Sequence, residues 1–159
     1  MEELLKEHHR AGYHWARQCC DFDDDRASEV LQMVYLKILE GKAKFRGESD
    51  VKTWFFSVIR FTAYEWRRQQ RPYLSLDVCA EQPAAEAEEE SPLFHEEMLL
   101  ALAPRQREVI LLVFYHHLTL EKAAEIMGIS LGSASTHYDR AKKKLKTLIQ
   151  QRKYSRDGC

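Results

Sequence analysis

The sequence predicts an all-α protein made of two small helical domains that are joined by a flexible acidic linker. Apolar residues recur at spacings of three and four along most of the 159 residues, and Gly and Pro are scarce. Charge is unevenly distributed. Residues 73–104 contain eight Asp and Glu and no Lys or Arg, whereas residues 105–159 contain eleven Lys and Arg against five Asp and Glu. Residues 119–148 have the pattern of two helices joined by a tight turn.

The first predicted domain is residues 1–72, with three helices. They are predicted over residues 4–20, about 26–40 and about 51–70. Gly41 ends the second helix, and Ser49 or Asp50 can cap the third. Pro72 is expected to end the third helix, because the residue before a proline disfavours the helical conformation.

Rings and guanidinium groups alternate on one side of the third predicted helix, at spacings of four, four, three and four. These residues are Phe56, Arg60, Tyr64, Arg67 and Arg71. Such a pattern suits a single nucleic-acid strand, since rings stack on bases and cations follow phosphates. The alternative is that Phe56 and Tyr64 belong to the core and the arginines are merely solvated. From these residues alone the alternative is favoured.

The acidic linker is predicted over residues 73–92, which are rich in Ala, Glu and Pro and lack helical periodicity. The second domain is residues 93–159. In it Pro104 begins a helix that extends to about His117, and the polar last ten residues are expected to fray. Four apolar residues of this helix are predicted to face the core: Val109, Ile110, Val113 and Phe114.

Residues 119–148 are predicted to form a helix-turn-helix. Thr119 caps the first helix, Gly128 supplies a left-handed turn, and Ser130 caps the second helix. One side of the second helix is apolar and the other is polar and basic. The polar residues are Ser133, Ser135, Thr136, His137, Arg140, Lys143 and Lys144. This arrangement favours DNA binding through the major groove, and the alternative is a helical hairpin whose cations form a solvated face.

Several function classes are excluded by composition. No apolar run could span a bilayer and the N-terminus lacks a signal-peptide core, so no membrane insertion is predicted. The adjacent Cys19 and Cys20 suit neither a disulfide nor a CxxC pair, which indicates a reducing cytoplasm. His and Cys residues lack metal-ligand spacing, and no catalytic triad or Gly-rich phosphate loop appears. The sequence therefore predicts no metal, no cofactor and no enzyme.

Three stretches in this order resemble one family. They are ASEVLQMVYLKILEG, KFRGESDVKTWFFSVIRFTAYEWRRQQRP and, after the linker, ALAPRQREVILLVFYHHLTLEKAAEIMGISLGSASTHYDRAKKKL. Together they resemble the extracytoplasmic-function sigma factors of bacteria, which keep only regions 2 and 4 of the sigma-70 family. The resemblance covers roughly residues 5–72 and 96–150. It is the pairing of both regions at this spacing that carries the resemblance, because the C-terminal motif alone occurs in many other DNA-binding domains.

The resemblance implies core RNA polymerase and promoter DNA as partners. The second predicted helix would dock on the β′ clamp through Glu29, Gln32, Met33, Tyr35 and Leu36. The loop after it and the third helix would hold the minus-ten element. With the resemblance, the rings and arginines on one side of the third helix are therefore interpreted as a DNA-binding surface, and no longer as core rings and solvated arginines. The residues implied there are Lys44, Arg46, Ser49, Lys52, Phe56, Arg60, Tyr64, Arg67, Arg68 and Arg71.

The C-terminal domain would sit on the β flap and read the minus-thirty-five element. The residues implied are Thr119, Ser130, Ser133, Ser135, Thr136, His137, Arg140, Lys143 and Lys144. An anti-sigma factor is a further expected partner. The function implied is that of an alternative sigma factor that directs transcription initiation.

The chain departs from the family pattern at several positions. Met33 stands where a carboxylate is usual, Phe61 replaces a common Asn, and Ser135 and His137 occupy positions that are often Lys or Arg. Tyr115-His116-His117 replaces an acidic-glycine turn. These departures keep two alternatives open: a sigma-like mimic that binds an anti-sigma factor, and a helix-turn-helix regulator that does not engage polymerase.

Overall fold

The computed structural model describes the backbone of residues 2–77 and 91–157 and the side chains of residues 2–69 and 96–152. The described residues form helices and turns and contain no strand, so the all-α prediction is confirmed. The chain divides into two compact units, Met1–Glu86 and Ala87–Cys159. Residues 78–90, which are most of the predicted linker, lie outside the described residues.

Four helices make up the described part of the first unit. They are α1 (Glu2–Glu7), α2 (His9–Cys19), α3 (Asp24–Leu39) and α4 (Val51–Asp77). The helix predicted over residues 4–20 is thus two helices. The break lies at His8, whose N–H is shared by the carbonyls of Leu4 and Leu5 at 3.2 Å each.

The core of the first unit is built on large rings from α2 and α4. Trp15 and Phe56 are fully buried and stack with their ring centroids 5.7 Å apart. The indole Nε1 of Trp15 also donates to the carbonyl of Phe56 at 3.1 Å, which satisfies its buried donor. Gly12 lets the two helices approach this closely, since a Cβ there would lie 2.6 Å from Cε2 of Phe55.

The long helix α4 begins as predicted but ends later. Asp50, one of the two predicted caps, accepts the N–H of Thr53 at 2.7 Å. The prediction that Pro72 ends the helix is wrong, because α4 continues to Asp77. A proline inside a helix removes one hydrogen bond and costs roughly 3 kcal/mol, which is a penalty rather than a prohibition.

The described part of the second unit contains four α-helices and a π-helical turn. They are α5 (Ser91–Leu100), α6 (Pro104–Ile110), the turn Leu111–Tyr115, α7 (Leu120–Met127) and α8 (Leu131–Asp157). Pro104 opens α6 as predicted. The expected fraying of the last ten residues is wrong as far as Asp157, to which α8 extends.

The π-helical turn changes which residues face the core. The amide of His116 bonds the carbonyl of Leu111 at 3.0 Å, five residues earlier, so the turn is wider than an α-helical one. Leu111 and Leu112 are buried, whereas Phe114 is 57% exposed. The prediction that Phe114 faces inward is therefore wrong, because a 3.6-residue period does not apply across this turn.

The predicted capping of the helix-turn-helix is confirmed. The Thr119 hydroxyl accepts the N–H of Lys122 at 3.2 Å, and the Ser130 hydroxyl accepts the N–H of Ser133 at 3.1 Å. Gly128 has a φ of 70°, in the left-handed region. The predicted apolar side of α8 packs on the unit's core. Its residues there are Ala141, which is fully buried, with Tyr138, Leu145 and Leu148 beside Leu102 and Ile110.

We expect folding stability to fall in mild acid because of His14. Burial lowers the pKa of His14 below its ordinary value of 6.5, and the charges of Arg10 and Arg17 lower it further. The folded chain therefore holds His14 neutral, and stability is lost as pH falls below 6.5 and the unfolded chain takes up the proton. Urea unfolding at pH 7.5 and pH 5.5 checks this. His14→Gln should lose less stability between the two, and an equal loss would contradict the assignment.

Candidate nucleic-acid interface

The aromatic–arginine stripe of α4 is only partly available to a nucleic acid. Phe56 is fully buried against Trp15, so the expectation that its ring meets promoter bases is wrong. Its carbonyl and its ring are both used by the core. For this residue the alternative drawn from the sequence alone, a core position, is the correct one.

Arg60 and Tyr64 form a stacked pair on the surface of α4. The guanidinium of Arg60 lies 4.4 Å from the centroid of the Tyr64 ring, and its Nη2 donates to the Tyr64 hydroxyl at 3.3 Å. Both side chains are partly exposed. The pair places a cation directly beside a flat ring on the surface. This arrangement suits contact with an unstacked base and its phosphate.

Arg67 is engaged within the protein. Its Nη2 donates to the carbonyl of Cys19, the last residue of α2, at 2.8 Å and lies 3.6 Å from Oδ2 of Asp21. The turn that it holds contains Asp21 and Phe22 at φ values of 56° and 66°, a conformation that costs energy for residues other than glycine. Arg67 therefore stabilises the turn between α2 and α3.

Other arginines also neutralise this acidic turn. The Nε atom of Arg17 contacts Asp24 at 2.6 Å, and that of Arg26 lies 3.6 Å from Asp23. The acidic residues of this turn, Asp21, Asp23 and Asp24, are thus neutralised by side chains from α2, α3 and α4. Arg68, next to Arg67, is exposed. Arg71 lies in α4, but its side chain is outside the described residues.

The loop between α3 and α4 exposes two cations and is anchored to α4 by an aromatic contact. Phe45 packs on Trp54 of α4 with ring centroids 5.4 Å apart, while its neighbours Lys44 and Arg46 are exposed. Ser49 is partly exposed, and Lys52 is partly exposed with its Nζ 5.6 Å from the Phe56 ring. Because Phe45 ties the loop to α4, Lys44 and Arg46 are held near the start of the same helix that carries the Arg60–Tyr64 pair.

Four of the five residues implied for polymerase binding share one side of α3. Glu29, Gln32 and Leu36 are exposed and Met33 is partly exposed, at spacings of three, one and three. Tyr35 is not part of this side. Its hydroxyl lies 2.7 Å from Nδ1 of His9, its ring contacts Phe55, and burial raises its pKa.

Phe61 is exposed on α4. From the sequence it is only a position where the chain departs from the family pattern, and it was not predicted as a contact. Its ring is 61% exposed and lies 5.2 Å from Nζ of Lys37. Lys37 in turn donates to Thr62 at 2.9 Å and Glu65 at 2.7 Å, so α3 and α4 are linked there. An exposed ring beside a cation is a candidate contact. The sequence could have indicated it, because Phe61 lies two residues from the buried Ile59 and so on the opposite side of α4.

The polar side of α8 brings together most of the predicted readers. Ser133, His137, Arg140 and Lys144 follow one another at spacings of four, three and four, and are at least partly exposed. Thr136 and Lys143 lie beside them and are exposed. Ser135 lies about 200° around the helix from Ser133 and is partly exposed, so it does not belong to this group. Thr119 and Ser130 use their hydroxyls as caps.

The described residues offer little for metal or thiol chemistry. Among them, no three His, Cys, Asp or Glu side chains are grouped to hold a metal ion. Cys19 and Cys20 are buried, and burial raises the pKa of the Cys20 thiol to about 12. A thiol of that pKa is a poor nucleophile at neutral pH. In the described part of the chain, no helix has the length and apolar character needed to cross a membrane.

Comparison with known families matches both units of the chain. The model of sigma-70 region 2 matches residues 4–73, and that of sigma-70 region 4 matches residues 96–145. The chain belongs to the extracytoplasmic-function sigma factors. In this sigma factor the region 2 match contains the α3 face and the cations around α4, and the region 4 match contains the helix-turn-helix.

Known sigma factors are similar in sequence to this one along most of its length. It is 26% identical over 132 residues to RNA polymerase sigma factor YlaC of Bacillus subtilis (strain 168), covering 77% of this chain and 76% of the relative. It is 28% identical over 131 residues to ECF RNA polymerase sigma factor EcfG of Rhodopseudomonas palustris (strain TIE-1), covering 79% and 72%.

Solved structures share the fold. The sigma factor RpoE, in a co-crystal structure with the anti-sigma factor NepR from Bartonella quintana, gives a TM-score of 0.79 at 21% identity, covering 94% of this chain and 96% of that one. CnrH in complex with the cytosolic domain of CnrY gives 0.67 at 20% identity, covering 94% and 87%.

Arg67 and Arg68 provide a matched pair with opposite expected effects. Arg67→Ala should lower the free energy of unfolding by about 1 kcal/mol, because it removes a partly exposed hydrogen bond to Cys19, and should leave the salt dependence of promoter binding unchanged. Arg68→Ala should leave stability within about 0.5 kcal/mol and flatten the salt slope by about 0.7. Urea unfolding and promoter binding at several salt concentrations check both. A flattened slope for Arg67→Ala would return that residue to the DNA interface.

Proposed function

We propose that this sigma factor binds core RNA polymerase in the cytoplasm, recognises promoter DNA with both units and directs transcription initiation as an alternative sigma factor. The observation that carries the proposal is the presence of regions 2 and 4 in order in one chain, each with exposed cations on its expected DNA-binding helix. We assign residues 1–72 to the polymerase and the minus-ten element, and residues 93–159 to the minus-thirty-five element. Of the predicted linker over residues 73–92, the first five residues belong to α4 and the last two to α5, so residues 78–90 connect the two helices.

The minus-ten surface consists of the loop before α4 and one side of that helix. Lys44, Arg46 and Arg68 supply exposed charge, and the Arg60–Tyr64 pair supplies a ring and a cation together. Exposed cations follow the phosphates of a melted strand, and the pair meets an unstacked base. Phe56 is excluded from this surface by its burial.

The polymerase surface is the side of α3 that carries Glu29, Gln32, Met33 and Leu36. Leu36 is 53% exposed and, with the partly exposed Met33, supplies an apolar contact beside the polar Glu29 and Gln32. An apolar centre with a polar rim is the usual arrangement of a protein interface. This side of α3 is therefore our candidate for docking on the β′ clamp, and the second unit is our candidate for the β flap.

An anti-sigma factor is the further partner that we propose. The support comes from the two solved structures that share this fold, since in each of them the chain that resembles this one is held together with a second protein. RpoE is bound to the anti-sigma factor NepR, and CnrH is bound to the cytosolic domain of CnrY. A partner that covers the exposed side of α3 would compete with polymerase for the same residues.

Run-off transcription tests the proposal. The full chain is mixed with core RNA polymerase on a library of promoters, and transcripts that depend on the chain are sequenced. Promoter-specific transcripts support the proposal. Binding of DNA without transcripts would favour a regulator that does not engage polymerase, and binding of neither would favour a mimic that occupies an anti-sigma factor.

Within the helix-turn-helix, different residues are expected to recognise the base sequence and to bind phosphates. His137 lies in the second turn of α8, the part presented to base edges, so His137→Ala should change the preferred upstream element at a cost of roughly 1–3 kcal/mol for the original one. Lys143→Ala should weaken all elements about equally, since phosphate contacts carry no sequence information. Selection from randomised upstream elements checks this. An unchanged preference in both variants would contradict His137 as a reader.

A further inference from the structure

Three side chains of α4 form a row that is tied to another helix of the first unit. They are Arg60, Tyr64 and Arg67, which follow one another at spacings of four and three and so share one side of α4. The centroid of the Tyr64 ring lies 4.4 Å from Cζ of Arg60 and 6.0 Å from Cζ of Arg67. All three side chains are partly exposed. The ring is thus flanked by one guanidinium group from the turn before it and one from the turn after it.

Arg67 connects this ring to α2. The contact between Arg60 and Tyr64 lies within one helix, so by itself it cannot fix the ring relative to the other elements. The Nη2 atom of Arg67 donates to the carbonyl of Cys19, 48 residues earlier at the end of α2, at 2.8 Å. The same atom lies 3.6 Å from Oδ2 of Asp21. Arg67 therefore contacts the ring and a second element at the same time.

The end of α2 is a rigid anchor for Arg67. Cys19 and Cys20 are buried, and the N–H of Cys20 is bonded to carbonyls of the last turn of α2 at 3.1 Å. Trp15, one turn earlier, is fully buried and stacks on Phe56 of α4. A guanidinium group that is bonded to a carbonyl in this setting keeps far less rotamer freedom than one in water.

A fixed ring is an advantage for stacking. A base stacks on a ring only when the two planes lie parallel and in contact, and an unrestrained tyrosine side chain samples several rotamers. A ring whose rotamer is already fixed does not lose that freedom when a base binds, so less of the stacking free energy is offset.

We propose that Arg67 is a positioning residue, which holds the Tyr64 ring in the orientation that stacks on an unpaired promoter base and does not itself contact DNA. The inference rests on the proposed function and assigns to Arg67 a role in it beyond stabilising the turn between α2 and α3. That role depends on the link from the Cys19 carbonyl through Arg67 to the ring.

Arg26 provides a matched control. Its Nε atom lies 3.6 Å from Asp23 of the same turn, and its guanidinium lies 5.4 Å from the ring of Trp66 on α4. Arg26→Ala therefore removes a cation, a contact with the acidic turn and a contact with a ring of α4, as Arg67→Ala does. The ring concerned is not Tyr64. A purely structural role for Arg67 predicts the same result for both variants, whereas a positioning role predicts different ones.

The free chain tests the ring without DNA or polymerase. Three-bond couplings of the Tyr64 Cγ to backbone N and C′, measured by NMR, report its χ1 rotamer populations, and Tyr64→Phe identifies the signal. The wild type and Arg26→Ala should each show one rotamer, whereas Arg67→Ala should show an average over several. A single, unchanged rotamer in Arg67→Ala would contradict the proposal. Thermal unfolding of each variant shows that the first unit is folded.

Forked promoter DNA tests the stacking. Holoenzyme made from the full chain and core RNA polymerase is bound to forks in which each unpaired minus-ten base is removed in turn. At one position, base removal should weaken wild-type binding about tenfold and leave Tyr64→Ala unaffected. In Arg67→Ala the effect of base removal should fall to about twofold with an unchanged salt slope, and in Arg26→Ala it should stay near tenfold.

Several results with the forks would overturn the proposal. A full tenfold effect in Arg67→Ala would show that the ring stacks without this residue, and an equal reduction in Arg26→Ala would assign the effect to the turn as a whole. A flattened salt slope in Arg67→Ala would make Arg67 a phosphate contact. If no position shows a loss that depends on Tyr64, the ring takes no base. Holoenzyme that binds none of the forks would instead contradict the proposed sigma function, and the rotamers of Tyr64 in the free chain would still decide whether Arg67 holds the ring.

Discussion

Replacing Phe56 by alanine is expected to destabilise the first unit by about 3–5 kcal/mol, which is a large part of the stability of a small domain. The ring is fully buried and stacks on Trp15, whose indole donates to the Phe56 carbonyl. Its removal leaves a cavity at the centre of the unit. All three tryptophans, Trp15, Trp54 and Trp66, lie in this unit, so urea unfolding followed by tryptophan fluorescence reports on it selectively.

Phe61→Ala is the control, because the same ring is removed from an exposed position in the same helix. Its stability should lie within about 0.5 kcal/mol of the wild type. Phe56→Leu should be intermediate, since it fills part of the cavity. If Phe56→Ala is as stable as Phe61→Ala and instead loses promoter binding, the interpretation of Phe56 as a base-stacking residue would be right and the buried position wrong.

Removing four cations from the minus-ten surface should have the largest effect on function. The variant combines alanine at Lys44, Arg46, Arg60 and Arg68. If each contact contributes about 1 kcal/mol, open-complex formation falls roughly a thousandfold. The salt slope should flatten by about 0.7 for each contact to single-stranded DNA. Permanganate reactivity of melted thymines, measured with core polymerase at several salt concentrations, checks both.

A charge-matched comparison separates local contacts from net charge. Lys44 and Arg46 are exposed in the loop before α4, and Lys6 and Arg10 are exposed on α1 and α2. The double alanine variants at each pair change the net charge equally. Only the loop pair should impair melting, and equal impairment by both pairs would show that long-range charge, rather than contact, is responsible.

Local signals in the sequence predicted the helix-turn-helix well. Thr119, Gly128 and Ser130 act on backbone groups within three residues, so their residue types suffice to predict caps and a left-handed turn. Pro104, which begins α6, is likewise a local signal, because its own residue type suffices to predict the start of a helix. These features depend on residues nearby in the sequence and not on tertiary contacts.

Tertiary contacts decided what the sequence could not predict. Phe56 and Tyr64 occupy related positions on α4, yet only Phe56 meets Trp15, a residue 41 positions earlier. Arg67 and Arg68 are adjacent and identical, and the carbonyl of Cys19, 48 positions earlier, distinguishes them. Periodicity gives the side of a helix but not its partner.

The π-helical turn at Leu111–Tyr115 bears on how insertions and deletions are tolerated in this protein. Such a turn holds one residue more than an α-helical turn, and here it is followed by the non-helical residues 116–119, so a single residue can be removed from it without changing the phase of a following helix. Deletion of Val113 is therefore expected to convert the turn into an α-helical end of α6 and to leave α7 intact. Family members one residue shorter at this point should keep the same helix-turn-helix but lack the outward-facing ring of Phe114.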